Sequence, residues 1–219
     1  KVAVPMLEKL LEKTNIELAE LEHQIYKQAG EEFNINSPSQ LATILYDKLE
    51  IKGRIRKTAG GARSTAAPEL EKLRDEHVII DMILQYRELQ KLKNTYIEPF
   101  PSLGGPDGRI HTTYDQMGAA TGRLSSKDPN LQNIPIRTAL GQEFRKAFIA
   151  ESGFQLVSCD YSQIELRIVA HVANDAKMIK AFINGEDIHT RTASEVFDVA
   201  PNAITKDMRR QAKVLNFGV

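Results

Sequence analysis

The sequence is poor in cysteine and in aromatic residues, and long apolar runs are absent from it. A single cysteine, Cys159, excludes a framework of internal disulfides and a metal site built from several cysteines. It also suits a reducing compartment, so we expect a cytoplasmic protein. No run of about 18 apolar residues occurs, which predicts that the chain does not span a membrane.

Excess charge of one sign is also missing, because 29 basic side chains balance 29 acidic ones. A zero sum argues against a nucleic-acid partner only if the charges are evenly spread. Here the segment 51–68 carries five basic residues, three glycines and no acidic residue, and basic residues recur over 206–213. Each patch is either a solvated surface or a footprint for phosphate groups, which N–H groups beside glycines can approach.

The first part of the chain has the periodicity of a helical lobe. Spacings of three and four predict one long amphipathic helix, which Gly30 ends. Its stripe consists of Val4, Leu7, Leu11, Thr14, Leu18, Leu21 and Ile25. A second helical region is predicted for about 69–95, so the basic segment near 52–65 would be the tip between two long helices.

Prolines and glycines between 99 and 108 mark the change to a part with mixed secondary structure. Alternation from Ile110 to Tyr114 predicts a strand, and the segments 144–150 and 154–160 are expected to pair as a hairpin. Three further helices are predicted, at about 162–174, at 187–197 with His189, and from 206 with Thr205 as its N-cap. The expected fold class is therefore α+β and mostly helical.

Asp160 ends an apolar stretch just before a predicted helix. A carboxylate fixed at its base and open at its head is a reasonable ligand for a hard cation such as Mg²⁺. A helix-capping role is the alternative, and one carboxylate does not make a two-metal site. Its neighbour Cys159 is expected to pack in the core.

Arg209, Lys213 and Phe217 are spaced four apart and therefore share one helix face. Two cations beside an aromatic ring could bind the anionic tail and the flat ring of a nucleoside triphosphate. An ordinary surface helix with a core phenylalanine is the alternative. His189 on the preceding helix could donate to a phosphate or could be structural.

Longer motifs carry a specific resemblance that covers essentially the whole chain. Residues 160–167, DYSQIELR, resemble motif A of family A DNA polymerases, the bacterial DNA polymerase I group. Residues 209–218, RRQAKVLNFG, resemble the motif B helix of that family, and EDIHT at 186–190 fits between them. TGRLSS at 121–126 and DPNLQNIP at 128–135 resemble the segment that contacts template and primer.

The resemblance implies three parts and one reaction. Residues 1–97 would form a thumb-like lobe with its basic tip, 98–185 an incomplete antiparallel-sheet palm with helices, and 186–219 the start of the fingers with part of the O-helix. The implied enzyme is a monomeric bacterial DNA-directed DNA polymerase of replication and repair. It would add deoxynucleotides from their triphosphates to the 3′-hydroxyl of primer-template DNA by two-metal phosphoryl transfer.

The resemblance also implies a role for each matching residue. Asp160 would be the catalytic aspartate that binds both Mg²⁺ ions, and Tyr161 would add its backbone carbonyl. The implied nucleotide contacts are Gln163 near the sugar, Glu165 as the gate against a 2′-hydroxyl, His189, Arg209 and Lys213 at the triphosphate, and Phe217 on the sugar and base. The implied DNA contacts are Lys57, Arg63, Ser64 and Thr65 at the tip, Lys91 nearer the palm, and Arg123, Asn130, Gln132 and Asn133 near the primer terminus.

The match also stops short of the family pattern. The sequence ends inside motif B, and the later palm segment with the second catalytic aspartate is not in it. We therefore expect that these 219 residues do not extend primers by themselves. A non-catalytic module that binds duplex DNA is an alternative. A single-subunit RNA polymerase is another, against which the gate residue Glu165 and Phe217 argue.

Overall fold

Helices make up most of the chain in the computed structural model, which describes residues 1–58, 60–136 and 138–218 and, of Phe217, the backbone only. The contacts divide the chain into two compact units, Lys1–Leu156 and Val157–Val219. The predicted class, α+β and mostly helical, is confirmed. The finer division into thumb, palm and fingers stays a prediction. Among the described helices, none has both the length and the apolar character that a membrane crossing needs.

The first unit contains five α-helices and one small sheet within the described residues. Its helices are α1 (Val4–Ala29), α2 (Pro38–Ala42), α3 (Ala67–Leu70), α4 (Val78–Leu92) and α5 (Ala139–Lys146). Short 3-10 or π-helical turns follow at Thr43–Lys48, Glu71–Leu73, Lys93–Ile97 and Phe100–Leu103. Strand β1 (Thr113–Asp115) pairs antiparallel with β2 (Ser125–Lys127).

The long helix predicted from the apolar stripe is confirmed as α1. Gly30 ends it in the left-handed conformation with φ at 73°, and its N–H donates to the carbonyl of Tyr26 at 2.8 Å. Glycine suits this position because it has no Cβ to strain. The stripe is buried at most of its positions and packs against α4, whose Ile79, Ile80 and Ile83 are fully buried.

A second core in this unit is built from aromatic rings. Phe144 lies 5.0 Å from Phe100 and 5.6 Å from both Tyr96 and Phe148, measured between ring centroids. Helix α5 presents Phe144 to this cluster, and Thr138 caps the helix by accepting from the Gly141 N–H at 3.1 Å.

The hairpin predicted for 144–150 and 154–160 is wrong. Residues 144–146 lie in α5, and within the described chain 154–160 pairs with no strand. A strand needs a neighbour to bond its N–H and C=O groups, and an apolar stretch does not supply one. Consequently Phe154 and Leu156 are 72% and 69% exposed. Cys159 is exposed as well, so its expected core packing is also wrong.

The second unit is helical. It consists of α6 (Ile164–Val172), α7 (Ala176–Ile183), α8 (Ile188–Phe197) and α9 (Lys206–Phe217), with a 3-10 turn at Pro201–Ala203. The sequence predicted three of these helices and missed α7. Thr205 caps α9 as predicted, accepting from the Met208 N–H at 3.2 Å. Leu166, Ala181 and Ile188 form the small buried core of the second unit.

Candidate active site and nucleic-acid interface

Asp160 and Tyr161 lie in the irregular segment that leads into α6, and both are exposed. Among the described residues, Asp160 has neither a hydrogen bond nor an ion pair, so its carboxylate oxygens remain available to a ligand. Three or more His, Cys, Asp or Glu side chains are nowhere grouped to hold a metal ion in the described ranges. Asp160 thus fits a ligand of a hard cation, but this part of the chain does not complete the site.

Gln163 is the residue at which the chain turns into α6. It caps the helix in the left-handed conformation, with φ at 54°, which costs a residue other than glycine on the order of 1 kcal/mol. Its Nε2 donates to Oδ2 of Asp187 at 3.4 Å. Its Oε1 is buried and has no hydrogen-bond partner among the described residues. Glu165 follows in the first turn of α6 and is exposed.

Asp187 is where three segments of this unit meet. Its Oδ1 accepts from the Thr190 N–H at 2.7 Å, which caps α8. Its Oδ2 accepts from Nη2 of Arg209 on α9 at 2.6 Å, in addition to the bond from Gln163. Burial raises the pKa of Asp187, but the hydrogen bonds and the charge of Arg209 outweigh it and leave the pKa below its usual range. The group is therefore ionised at neutral pH.

His189 ties α8 to α9 a second time. It is only 3% exposed, and its Nδ1 lies 2.9 Å from Nδ2 of Asn216. Burial lowers its pKa; the Asp187 carboxylate opposes this shift, and the charges of Arg209 and Lys213 add to it. If Nδ2 of Asn216 donates to Nδ1, the proton of the neutral ring is on Nε2. The lowered pKa favours neutral His189 over the cation at neutral pH.

The structure therefore brings part of the predicted nucleotide site together. Gln163 and Arg209 both donate to the Asp187 carboxylate. His189 is hydrogen-bonded to Asn216 of α9, and the positive charge of Lys213 helps to lower the His189 pKa. No hydrogen bond or ion pair among the described residues joins Asp160 to this group. The side chain of Phe217 lies outside the described residues. The roles assigned to these residues stay predictions.

The basic side chains of the tip are not all free in solvent, as they would be in a solvated loop. Lys57 and Arg63 pair across it in a short antiparallel bridge, and the Lys57 side chain is exposed. Arg63 forms an ion pair with Asp47, donates to the Tyr46 carbonyl at 3.3 Å and lies 4.9 Å from the Tyr46 ring centroid. Lys57 is thus presented to solvent, whereas Arg63 also braces the tip.

Ser64 and Thr65 of the tip have structural roles through their backbone groups. The Tyr46 hydroxyl donates to the Ser64 carbonyl at 2.7 Å, and Ser64 Oγ accepts from the Ala66 N–H at 3.2 Å. Thr65 is 5% exposed, and its carbonyl accepts from Nη1 of Arg87 on α4. In this structure Thr65 can offer a DNA strand little of its side chain.

The segment 121–135, which contains β2, is held together in part by hydrogen bonds from its own side-chain amides. Gln132 Nε2 donates to the Leu124 carbonyl at 2.9 Å, and its Oε1 accepts from the Ser126 N–H at 3.2 Å. Asn130 Oδ1 accepts from the Gln132 N–H at 2.9 Å, and the Asn133 carbonyl accepts from the Tyr96 hydroxyl at 2.5 Å. The side chains of Arg123 and Lys91 are exposed.

Sequence reasoning missed four residues that organise these sites. Asp187 stood in the EDIHT motif and carried the signal of a helix N-cap. Asn216 stood in the motif B resemblance without a role. Tyr46 and Arg87 come from other helices, and no local pattern in the sequence marks them as supports of the tip.

Comparisons with known proteins agree with the motifs. The family model described as DNA polymerase family A matches residues 4–219. The chain is 54% identical to DNA polymerase I of Deinococcus radiodurans over 214 residues, which are 97% of this chain and 22% of that protein. It is 49% identical to DNA polymerase I of Bacillus subtilis over 221 residues, covering 100% of this chain and 25% of the relative.

A solved structure shares the fold. It is the POL domain of Pol1 from M. smegmatis in complex with DNA primer-template and dNTP, with a TM-score of 0.89 and 39% identity, covering 100% of this chain and 38% of that one. The chain belongs to DNA polymerase family A. It spans about a quarter of the length of the two curated relatives named above.

Proposed function

We propose that this chain is part of a DNA-directed DNA polymerase that adds deoxynucleotides to a primer 3′-hydroxyl on a DNA template. The observation that carries the proposal is that Gln163 and Arg209 both bond Asp187, next to the hydrogen bond between Asn216 of α9 and His189. These contacts join the motif A turn, the start of α8 and the motif B helix. Family membership and the solved relative with primer-template and dNTP support it.

The triphosphate would be bound by the cationic side of α9. Arg209 and Lys213 are one helical turn apart, and charge-assisted bonds to phosphate oxygens are among the strongest that side chains make. His189 would donate a neutral hydrogen bond from Nε2, which orients a phosphate without adding charge. Phe217 would pack on the sugar and base, and Glu165 would exclude a 2′-hydroxyl.

Asp160 and the Tyr161 backbone carbonyl would hold the metal. Oxygen ligands of this kind suit Mg²⁺, which when bound supplies charge neutralisation and activation of the primer hydroxyl. Within the described ranges, no three His, Cys, Asp or Glu side chains are grouped to hold a metal ion. We therefore expect a two-ion site to take further ligands from the rest of the polymerase.

The remaining proposed roles concern the three parts of the chain and their contacts with duplex DNA. Residues 1–97 would be the thumb, 98–185 part of the palm, and 186–219 the start of the fingers, in a bacterial cytoplasmic monomer. Duplex contacts from the basic tip and from 121–135 would go to phosphates, sugars and the minor groove, because a polymerase has to copy every sequence.

The isolated chain of 219 residues is expected to show no template-dependent primer extension, because one carboxylate does not hold two metal ions. The measurement is a primer-extension assay with all four deoxynucleotides and Mg²⁺, with a complete bacterial DNA polymerase I as positive control. Robust incorporation by a clean preparation of this span would contradict the proposed incompleteness.

Lys57→Ala is expected to weaken binding of primer-template DNA by the complete polymerase equally for all sequences. It should also reduce the slope of log Kd against log salt by about one, because one phosphate contact is lost. Fluorescence anisotropy at several salt concentrations measures both quantities.

Lys27→Ala is the matched control, since Lys27 is an exposed lysine in the last turn of α1 and lies outside the tip. It should leave affinity and salt slope unchanged. Equal effects of the two substitutions, or none from either, would remove the tip from the proposed DNA interface.

A further inference from the structure

The half-buried carboxylate of Asp187 accepts three hydrogen bonds, from the Thr190 N–H, Arg209 and Gln163. Its own cap bond to the Thr190 N–H fixes Oδ1 to the start of α8. That anchor leaves Oδ2 in one position, where it accepts from Arg209 and from Gln163 together. A fixed acceptor restricts both donors, whose long side chains would otherwise sample many rotamers.

We propose that Asp187 is a positioning residue for the incoming nucleotide, which holds the Arg209 guanidinium and the Gln163 carboxamide in the orientation that the substrate needs. The inference rests on the proposed function, because it takes Arg209 as a ligand of the triphosphate. Asp187 itself touches no substrate in this scheme and acts through its two partners.

The guanidinium of Arg209 explains why one bond is enough to position it. Its N–H donors form a rigid planar fork, so fixing Nη2 on Asp187 also fixes the directions of the remaining donors. Those donors can then meet phosphate oxygens without first losing rotamer freedom. A group ordered before binding contributes more to affinity than one that is ordered by binding.

Gln163 is the second side chain that Asp187 positions. Its Nε2 is held by Asp187, and this bond directs Oε1, which is buried without a hydrogen-bond partner among the described residues. Leaving such an acceptor unsatisfied is costly, so a donor is expected to complete it. One carboxylate thereby fixes both a cation for the phosphates and the orientation of the Gln163 carboxamide beside it.

Asp187→Asn in the complete polymerase tests the inference. Asparagine is as good an N-cap as aspartate, so α8 should keep its cap. The negative charge is lost, and an amide group facing Nη2 of Arg209 or Nε2 of Gln163 places donor against donor. We expect the KM for dATP to rise about tenfold, with kcat changed less than about threefold, and the Kd for primer-template to stay within about twofold.

Asp175→Asn is the matched control. Asp175 caps α7 through the N–H groups of Lys177 and Met178, and within the described residues it has no cationic partner. The same substitution at the same kind of cap should leave the KM for dATP unchanged. If both variants change the KM alike, or if Asp187→Asn lowers the KM, the inference is overturned.

Arg209→Ala separates this inference from the proposed function. The variant should raise the KM for dATP by itself, and Asp187→Asn should add at most about twofold in its background, because residues that act as one unit are not additive. No effect of Arg209→Ala would refute the assignment of Arg209 to the triphosphate. A clear effect of Arg209→Ala with none from Asp187→Asn would refute the positioning role alone.

Discussion

Asp160→Asn in the complete polymerase is expected to lower the rate of single-nucleotide incorporation by on the order of 10³-fold. The substitution keeps the size of the side chain and removes the negative charge that the proposed metal site needs. Rapid-quench measurement under single-turnover conditions with saturating dNTP and Mg²⁺ reports this step directly. Affinity for primer-template should be unchanged, which also separates a polymerase from a module that only binds duplex DNA.

The control for this prediction is Asp198→Asn. Asp198 is another exposed aspartate of the same unit, and it ends α8 in the left-handed conformation with φ at 52°, which asparagine adopts readily. Neither substitution should shift the thermal midpoint, since both side chains are exposed. A rate for Asp160→Asn within about tenfold of the unsubstituted enzyme would refute the catalytic assignment.

Phe144→Ala is expected to lower the free energy of unfolding of the 219-residue chain by about 3–5 kcal/mol. The ring is 2% exposed and contacts Tyr96, Phe100 and Phe148, so its removal leaves a cavity among three aromatic rings. Urea unfolding followed by circular dichroism measures the change, because the chain has no tryptophan to serve as a fluorescent probe.

Phe154→Ala makes the same chemical change at a position that is 72% exposed. Its effect should stay within about 0.5 kcal/mol of zero. Phe144→Leu, which fills most of the volume, should cost less than about 1.5 kcal/mol. Similar losses for the two alanine variants would mean that the aromatic cluster does not support this unit.

The helical elements could be predicted because their determinants are local. The stripe from Val4 to Ile25 and the stop at Gly30 are spacing and backbone effects that act within a few residues. The cap at Thr205 is of the same kind. Strand β2 escaped prediction because its three residues are polar, whereas α7 was missed although Asp175 offers it a local N-cap.

The hairpin failed for a physical reason that sequence patterns do not contain. The segment 154–160 is an apolar stretch of the length of a strand, but an apolar stretch indicates only that the segment can be buried. Pairing depends on a second strand arriving from elsewhere, and the described chain brings none to it. The cap at Thr138 meanwhile favours a helix through Phe144, which the aromatic core then stabilises.

The amino-acid sequence by itself determined the family of this protein and singled out the candidates for its site, the carboxylate of Asp160 and the cations of α9. The tertiary structure decided how these groups are held. Only packing could make His189 a buried neutral donor, bury Thr65, and place Asp187 against both Gln163 and Arg209. Those outcomes depend on contacts between residues distant in the chain, and burial and charge at such contacts set pKa values and side-chain order.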